Sequence, residues 1–164
     1  MRPELILDPA TLDLSRCVGD RDAIERANPH RGAMVQIDRI VRFDLERQII
    51  AGYKDVRADE FWVAGHFPGY PVMPGVLICE AAAQLCGFYV HTQNIMPGSL
   101  LGYGGMDAVR FRGQVKPGDR LLLVAKAKRL SRRQVAFHVQ GFVGTALVFH
   151  GDVMGVPIAS RGEE

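Results

Sequence analysis

The chain has 164 residues, 48% of them hydrophobic and 23% charged, and its 20 Lys and Arg against 18 Asp and Glu leave a net charge of +2. Those proportions exclude a disordered tail protein, a collagen-like fibre and a strongly basic or acidic chain, and a chain of this length buries a core without disulfide or metal staples. The three cysteines, Cys17, Cys79 and Cys86, are odd in number and lack CxxC spacing, which argues against a disulfide framework or zinc knuckle and for a reducing compartment.

Residues 1–28 read as an N-terminal extension of weak pattern, with no apolar run long enough for a signal peptide. Asp20 is placed to cap a short helix through Ala27, which Asn28-Pro29 stops. Met34 to Arg42 and Gln48 to Val56 read as strands around a turn at Phe43 to Arg47. The character then changes: Phe61 to Met106 spans 46 residues with one charged side chain, Glu80, against the ten or so that the chain average would give. This segment holds the loop Gly65-His66-Phe67-Pro68-Gly69. After Pro74-Gly75 comes an apolar stretch, Val76 to His91, in which Ala81-Ala82-Ala83 and Leu85 favour helix. A helix apolar nearly all round is buried. Interrupted by Glu80 and Gln84, it falls short of a membrane span, so a soluble cytoplasmic protein with no membrane partner is expected. Four more strand-like runs follow, Leu100–Phe111, Leu121–Leu130, Gln134–Val143 and Thr145–Val156. The order predicts an α+β fold, a long antiparallel sheet wrapped around one central buried helix, with a single domain over 29–157 and a tail at 158–164.

Glu80 is the anomaly, because a lone carboxylate in an apolar helix is costly unless it is paired or protonated. Desolvation is expected to raise its pKa, which suits a general acid or base, and Gln84, one turn on, is placed to orient it. His66 sits in a loop fixed by glycines and prolines, where a neutral imidazole would serve as base for a weak carbon acid. His30, His91, His138 and His150 show no ligand spacing and read as structural or solvent-facing; no metal site is expected. The helix start at Pro74-Gly75-Val76 offers free backbone N–H groups and the positive end of a helix dipole, an oxyanion site in principle. Cys79 and Cys86, seven apart, read as core packing.

The string from Gly65 through Gln84, GHFPGYPVMPGVLICEAAAQ, closely resembles the 3-hydroxyacyl-[acyl-carrier-protein] dehydratases of fatty acid synthesis. Pro29-His30-Arg31, Ile37-Asp38-Arg39, Asp107 to Arg112 and Lys116-Pro117-Gly118-Asp119 support it, so that the resemblance covers roughly residues 29–155. It implies the hot-dog fold and a homodimer or trimer of dimers, each active site taking its histidine and carboxylate from different protomers. It implies no cofactor and no metal. For the chemistry it implies that His66 removes the C2 proton of a (3R)-3-hydroxyacyl thioester, the Gly75 N–H holds the thioester oxygen, and Glu80 donates to the departing hydroxyl. Val76, Phe67 and Gln84 then lie at flanking substrate-binding positions. Two features depart from the pattern. Gly32-Ala33-Met34 stands where the family usually has Tyr-Pro-Phe, and Gln84 to Tyr89 looks like the sister dehydratase/isomerase class, although that class carries Asp where this chain has Glu80.

The competing enzyme readings are that sister class, a hot-dog thioesterase or a CoA-dependent hydratase; fold alone does not choose among them. The competing non-enzyme is an acyl- or nucleic-acid-binding protein. Residues 108–134 hold nine Lys or Arg and one Asp, but Phe111 is their only aromatic, so no nucleic-acid partner is expected. The resemblance implies an acidic acyl carrier protein as partner, and Arg129, Arg132 and Arg133, clustered at a turn, are the candidate docking residues.

Overall fold

The computed structural model describes residues 3–160, with side chains through Ile158; residues 1–2 of the expected extension and 161–164 of the expected tail lie outside the described residues. The first helix, α1 (Arg21–Ala27), starts where the Asp20 carboxylate accepts the Ala23 N–H, and it ends at Asn28 ahead of Pro29. The strands are β1 (Arg39–Asp44), β2 (Ile49–Asp55), β3 (Ser99–Phe111), β4 (Arg120–Leu130), β5 (Val135–Val143) and β6 (Ala146–Ser160), and α2 (Gly75–Thr92) lies between β2 and β3. The expected first strand begins five residues late. Gly32–Met34 forms a 3-10 turn, and the Gln36 N–H bonds the Gln84 side chain on α2 instead of a strand partner. At the other end, β6 runs past residue 157 to Ser160.

All pairings are antiparallel, in the order β1-β2-β4-β5-β6-β3. The inner face of the sheet closes on α2. Ile40, Ile50, Leu121, Leu123, Phe137, Val139 and Phe149 share one buried cluster with Ile78, Ala82, Leu85 and Tyr89 of the helix. Tyr89 stacks on Phe43 at 5.0 Å and meets Phe137 edge-on at 5.6 Å. At Gly52 a Cβ would stand 2.7 Å from the Arg39 carbonyl oxygen and 3.1 Å from Leu85, so only glycine lets helix and strand approach this closely. Truncating Leu85, fully buried here, to Ala costs about 2–5 kcal/mol in such a core.

The outer face carries a second cluster: Val41, Ile49, Ala51, Tyr53, Leu122, Val124 and Phe142. The N-terminal segment lies across it, with Ile6, Leu7, Leu12 and Leu14 packed on these residues. The Gln140 side chain ties it down, donating to the Glu4 carbonyl at 2.7 Å and accepting from the Ile6 N–H at 3.0 Å. Both faces of β2 are therefore covered, which is why Ile49-Ile50-Ala51 is continuously apolar rather than alternating.

The long loop from β2 to α2 is anchored at both ends. Lys54 and Glu60 form an ion pair of 2.8 Å, with side chains only 3% and 5% exposed. Further on, the Met73 N–H donates to the Val115 carbonyl at 2.8 Å, and Val56 exchanges bonds with Gly118 and Asp119. Among the described residues no helix is long and apolar enough to cross a membrane.

Candidate active site

His66 is held by backbone. Its N–H donates to the Trp62 carbonyl at 2.8 Å, its carbonyl accepts the Val72 N–H at 2.8 Å, and Phe67 and Tyr70 bond each other across the loop. Gly69, with φ +73, supplies the left-handed residue that this tight reversal needs. The His66 ring stacks on Phe67 at 4.3 Å, and its Nδ1 lies 2.6 Å from the Val72 carbonyl oxygen. A carbonyl only accepts, so Nδ1 is the ring nitrogen that donates, which leaves Nε2 facing away from this bond. Phe67 itself is exposed.

The same opening is lined by Gly75, Val76, Phe111 and Val115. In α2 the first hydrogen bond runs from the Leu77 N–H to the Pro74 carbonyl, so the Gly75 and Val76 amides stand ahead of the helical ladder. A Cβ at Gly75 would lie 2.7 Å from the Phe111 ring, so a glycine there lets the ring cover the backbone. Val76 is 74% exposed. The structure thus brings His66, Gly75 and Val76 together.

Glu80 is elsewhere. Five residues along a helix is a rotation of about 140°, so Glu80 leaves α2 on another side from Gly75. It lines a separate cavity with His30, Ala83, Cys86, Tyr103, Val135 and Met154. Its Oε1 accepts from Gln84 Nε2 at 2.8 Å and lies 3.1 Å from His30 Nε2. The Gln84 amide is itself clamped, donating to the Met34 carbonyl at 2.6 Å and accepting the Gln36 N–H at 2.8 Å. The expected upward pKa shift of Glu80 is corrected here: burial does push it up, but the hydrogen bond from His30, aided by Gln84, outweighs burial and holds the carboxyl below the usual range.

His30 is therefore the close neighbour of Glu80 that the histidine reading missed. Nothing in its spacing marked it; the signal lay in Pro29-His30-Arg31, one of the segments that carry the resemblance. The departure at Gly32-Ala33-Met34 falls on the same wall, where the turn that Gly32 opens with φ +59 delivers the Met34 carbonyl to Gln84. Cys79 and Cys86 are buried in the core as free thiols. Arg129, Arg132 and Arg133 are exposed around the β4–β5 turn, which Ser131 and Gln134 close. Val135, just beyond that turn, lines the Glu80 cavity. Other members of the basic segment are engaged locally: Arg120 pairs with Asp55 and stacks on Tyr53, and Lys128 pairs with Asp152.

A family model described as the FabA-like domain matches residues 28–152. The chain belongs to the FabA-like family. Within it, a 3-hydroxyacyl-[acyl-carrier-protein] dehydratase FabZ of Moorella thermoacetica is 40% identical over 135 residues, 82% of this chain and 94% of that one. A FabZ of Alkalilimnicola ehrlichii is also 40% identical, over 147 residues, 88% of this chain and 94% of its own length. Among solved structures, the dehydratase heterocomplex ApeI:P from Xenorhabdus doucetiae superposes with a TM-score of 0.71 at 16% identity, covering 83% of this chain and 91% of that one. The fluoroacetyl-CoA thioesterase FlK superposes at 0.57 and 13% identity, covering 67% and 84%. At such identities the structural likeness establishes the hot-dog fold alone, a fold that hosts several chemistries.

Proposed function

We propose that this chain dehydrates (3R)-3-hydroxyacyl-[acyl-carrier-protein] to the trans-2-enoyl-[acyl-carrier-protein] in fatty acid biosynthesis, as a hydro-lyase. The observation that carries the reading is the 40% identity to FabZ dehydratases over more than four fifths of the chain. His66 Nε2 takes the C2 proton. The Gly75 N–H, with Val76 beside it, binds the thioester oxygen as negative charge develops; one such donor is typically worth about 3–4 kcal/mol. Glu80, in its protonated form, gives its proton to the departing 3-hydroxyl, Gln84 holds it in place, and Phe67 flanks the acyl group.

Within one chain, His66 and Glu80 open into different pockets. A complete site then needs the Glu80 of a second copy, which supports a homodimer or an even multiple of it. The exposed Phe67, Val76, Tyr103, Met106 and Phe111 give such a partner an apolar surface around the His66 opening and the edge strand β3. The carrier docks at the β4–β5 turn through Arg129, Arg132 and Arg133, which are exposed in the chain just ahead of Val135 of the Glu80 cavity and complement an acidic protein. A cytoplasmic location fits three free cysteines.

The test is turnover of a 3-hydroxyacyl thioester, read as enoyl absorbance, on carrier-protein and pantetheine substrates. Dehydration of the carrier substrate, with a KM that rises between about 50 and 300 mM salt while that for pantetheine stays level, is the expected result. No enoyl product from either substrate overturns the reading. Equal salt sensitivity removes the three arginines from docking.

A further inference from the structure

The departing hydroxyl needs a proton, and only one oxygen of Glu80 is placed to give it. Oε1 has His30 Nε2 at 3.1 Å and receives Gln84 Nε2 at 2.8 Å. The amide cannot turn over, because the Gln36 N–H fixes its oxygen and the Met34 carbonyl its nitrogen. Gln84 is 1% exposed, while the side chains of His30 and Glu80, 30% and 21% exposed, edge the cavity. Two donors pointing at Oε1 leave Oε2 as the atom that takes the proton whenever Glu80 is protonated.

We infer that His30 is a positioning residue of this site: by donating from Nε2 to Glu80 Oε1 it turns Oε2 toward the substrate hydroxyl and sets how tightly Glu80 holds its proton. The inference rests on the proposed dehydration. It goes beyond that reading by adding a third side chain to the acid half of the site. The hydrogen bond from His30 is the largest of the influences that keep the Glu80 carboxyl below its usual range, ahead of the opposing effect of burial. Among the described residues that line this cavity, the other ionisable groups are Cys86, His91 and Tyr103, with Cys79 beside them on α2. On α2, Cys79 and Cys86 have thiols that burial pushes up, and on β3 the Tyr103 phenol is pushed up in the same way, so all three are neutral near pH 7. His91 on α2 lines the same cavity but is paired with Asn28, Nδ1 to Oδ1 at 3.2 Å. From β5 and β6 the wall is Val135, Phe137, Val153, Met154 and Gly155, with no charge.

Two substitutions separate a positioning role from packing. His30→Phe keeps a ring and removes the donor; His30→Gln places an amide N–H near the position of Nε2. The limb of the pH–rate profile that disappears in Glu80→Gln belongs to Glu80. In His30→Phe this limb is expected to move to higher pH, with kcat lowered about 10-fold by lost alignment and KM little changed, and His30→Gln is expected to restore the wild-type limb. A limb that stays in place in His30→Phe, in a protein of wild-type melting temperature, overturns the inference. A ¹³C titration of labelled Glu carboxyls, assigned by the Glu80→Gln difference, reads the same shift without turnover. An upward shift there in an enzyme that dehydrates nothing would sink the dehydratase reading and leave the His30–Glu80 coupling standing; an unmoved resonance in an active enzyme would do the reverse.

Discussion

His66 and Glu80 flank one helix and are held by opposite means. His66 hangs on backbone: Trp62, Val72 and the Phe67–Tyr70 pair close its loop, and the one hydrogen bond that orients its ring goes to a carbonyl. Glu80 hangs on side chains: Gln84 and His30 grip one oxygen, and Gln84 is gripped in turn by backbone groups of the segment leading to β1. A group held by backbone is replaceable without disturbing its support. A group held by a chain of side chains shares its fate with them, because each buried partner left unsatisfied carries a desolvation cost.

The largest expected effect comes from breaking the backbone-held half. His66→Ala should lower dehydration by about 10²–10⁴-fold, the usual cost of losing a general base, with the melting curve close to wild type. Turnover near wild type in the enoyl-absorbance assay would remove His66 from the chemistry. Next comes the separation of the halves. Mixing inactive His66→Ala with inactive Glu80→Gln should return activity after subunit exchange, because a mixed dimer pairs the intact His66 of one copy with the intact Glu80 of the other. With random exchange half the dimers are mixed and each has one good site, so about a quarter of sites recover. Absence of recovery after exchange is verified by mass spectrometry would put both groups in one chain's site.

The side-chain-held half should show itself in stability. Gln84→Leu leaves the buried Gln36 N–H and the Met34 carbonyl without their partner, which costs about 1–3 kcal/mol in denaturant unfolding. Unchanged stability would mean that the segment before β1 finds other partners. The smallest effect on stability belongs to Glu80→Gln. Because the folded state holds the Glu80 carboxyl below its ordinary value, its ionised form favours folding; that contribution is present at neutral pH and fades as pH falls through the depressed value. The variant should thus be less stable than wild type at pH 7, by about 1 kcal/mol or less for a partly exposed pair, and the gap should close in acid. A variant more stable at pH 7 would show that burial, not His30, governs this carboxyl.

Much of this was legible along the chain. The α2 stretch reads as a buried helix because its apolar residues leave no polar stripe, and the structure finds it from Gly75 to Thr92. Asp20 reads as a cap because a short acceptor before a helical run has one good use, and it caps Ala23. Gly75 and His66 were visible because their neighbours mark them locally, Pro74 at a helix start and the glycines and prolines of a tight loop. The strap over the outer sheet face was not legible, since Ile6, Leu7, Leu12 and Leu14 follow no helical or strand period; they match the surface they cover. The start of β1 was misplaced for a similar reason: Met34 to Ile37 looks like strand, but the Gln84 side chain, 48 residues away from Gln36, claims its backbone.

The sequence by itself determined which groups are available: a lone carboxylate in an apolar helix, a histidine in a rigid loop, a glycine at a helix start, and a run of positive charge. Local chemistry is enough for that, because caps, turns and hydrophobic periods are written in neighbouring residues. Only the tertiary structure decided the company these groups keep. Tertiary contact placed His30 against Glu80, 50 residues away, and so reversed the expected direction of its pKa, and the pitch of α2 sent Glu80 and Gly75 into different pockets. A proton's affinity depends on distances of about 3 Å, which the sequence does not contain until the chain is folded.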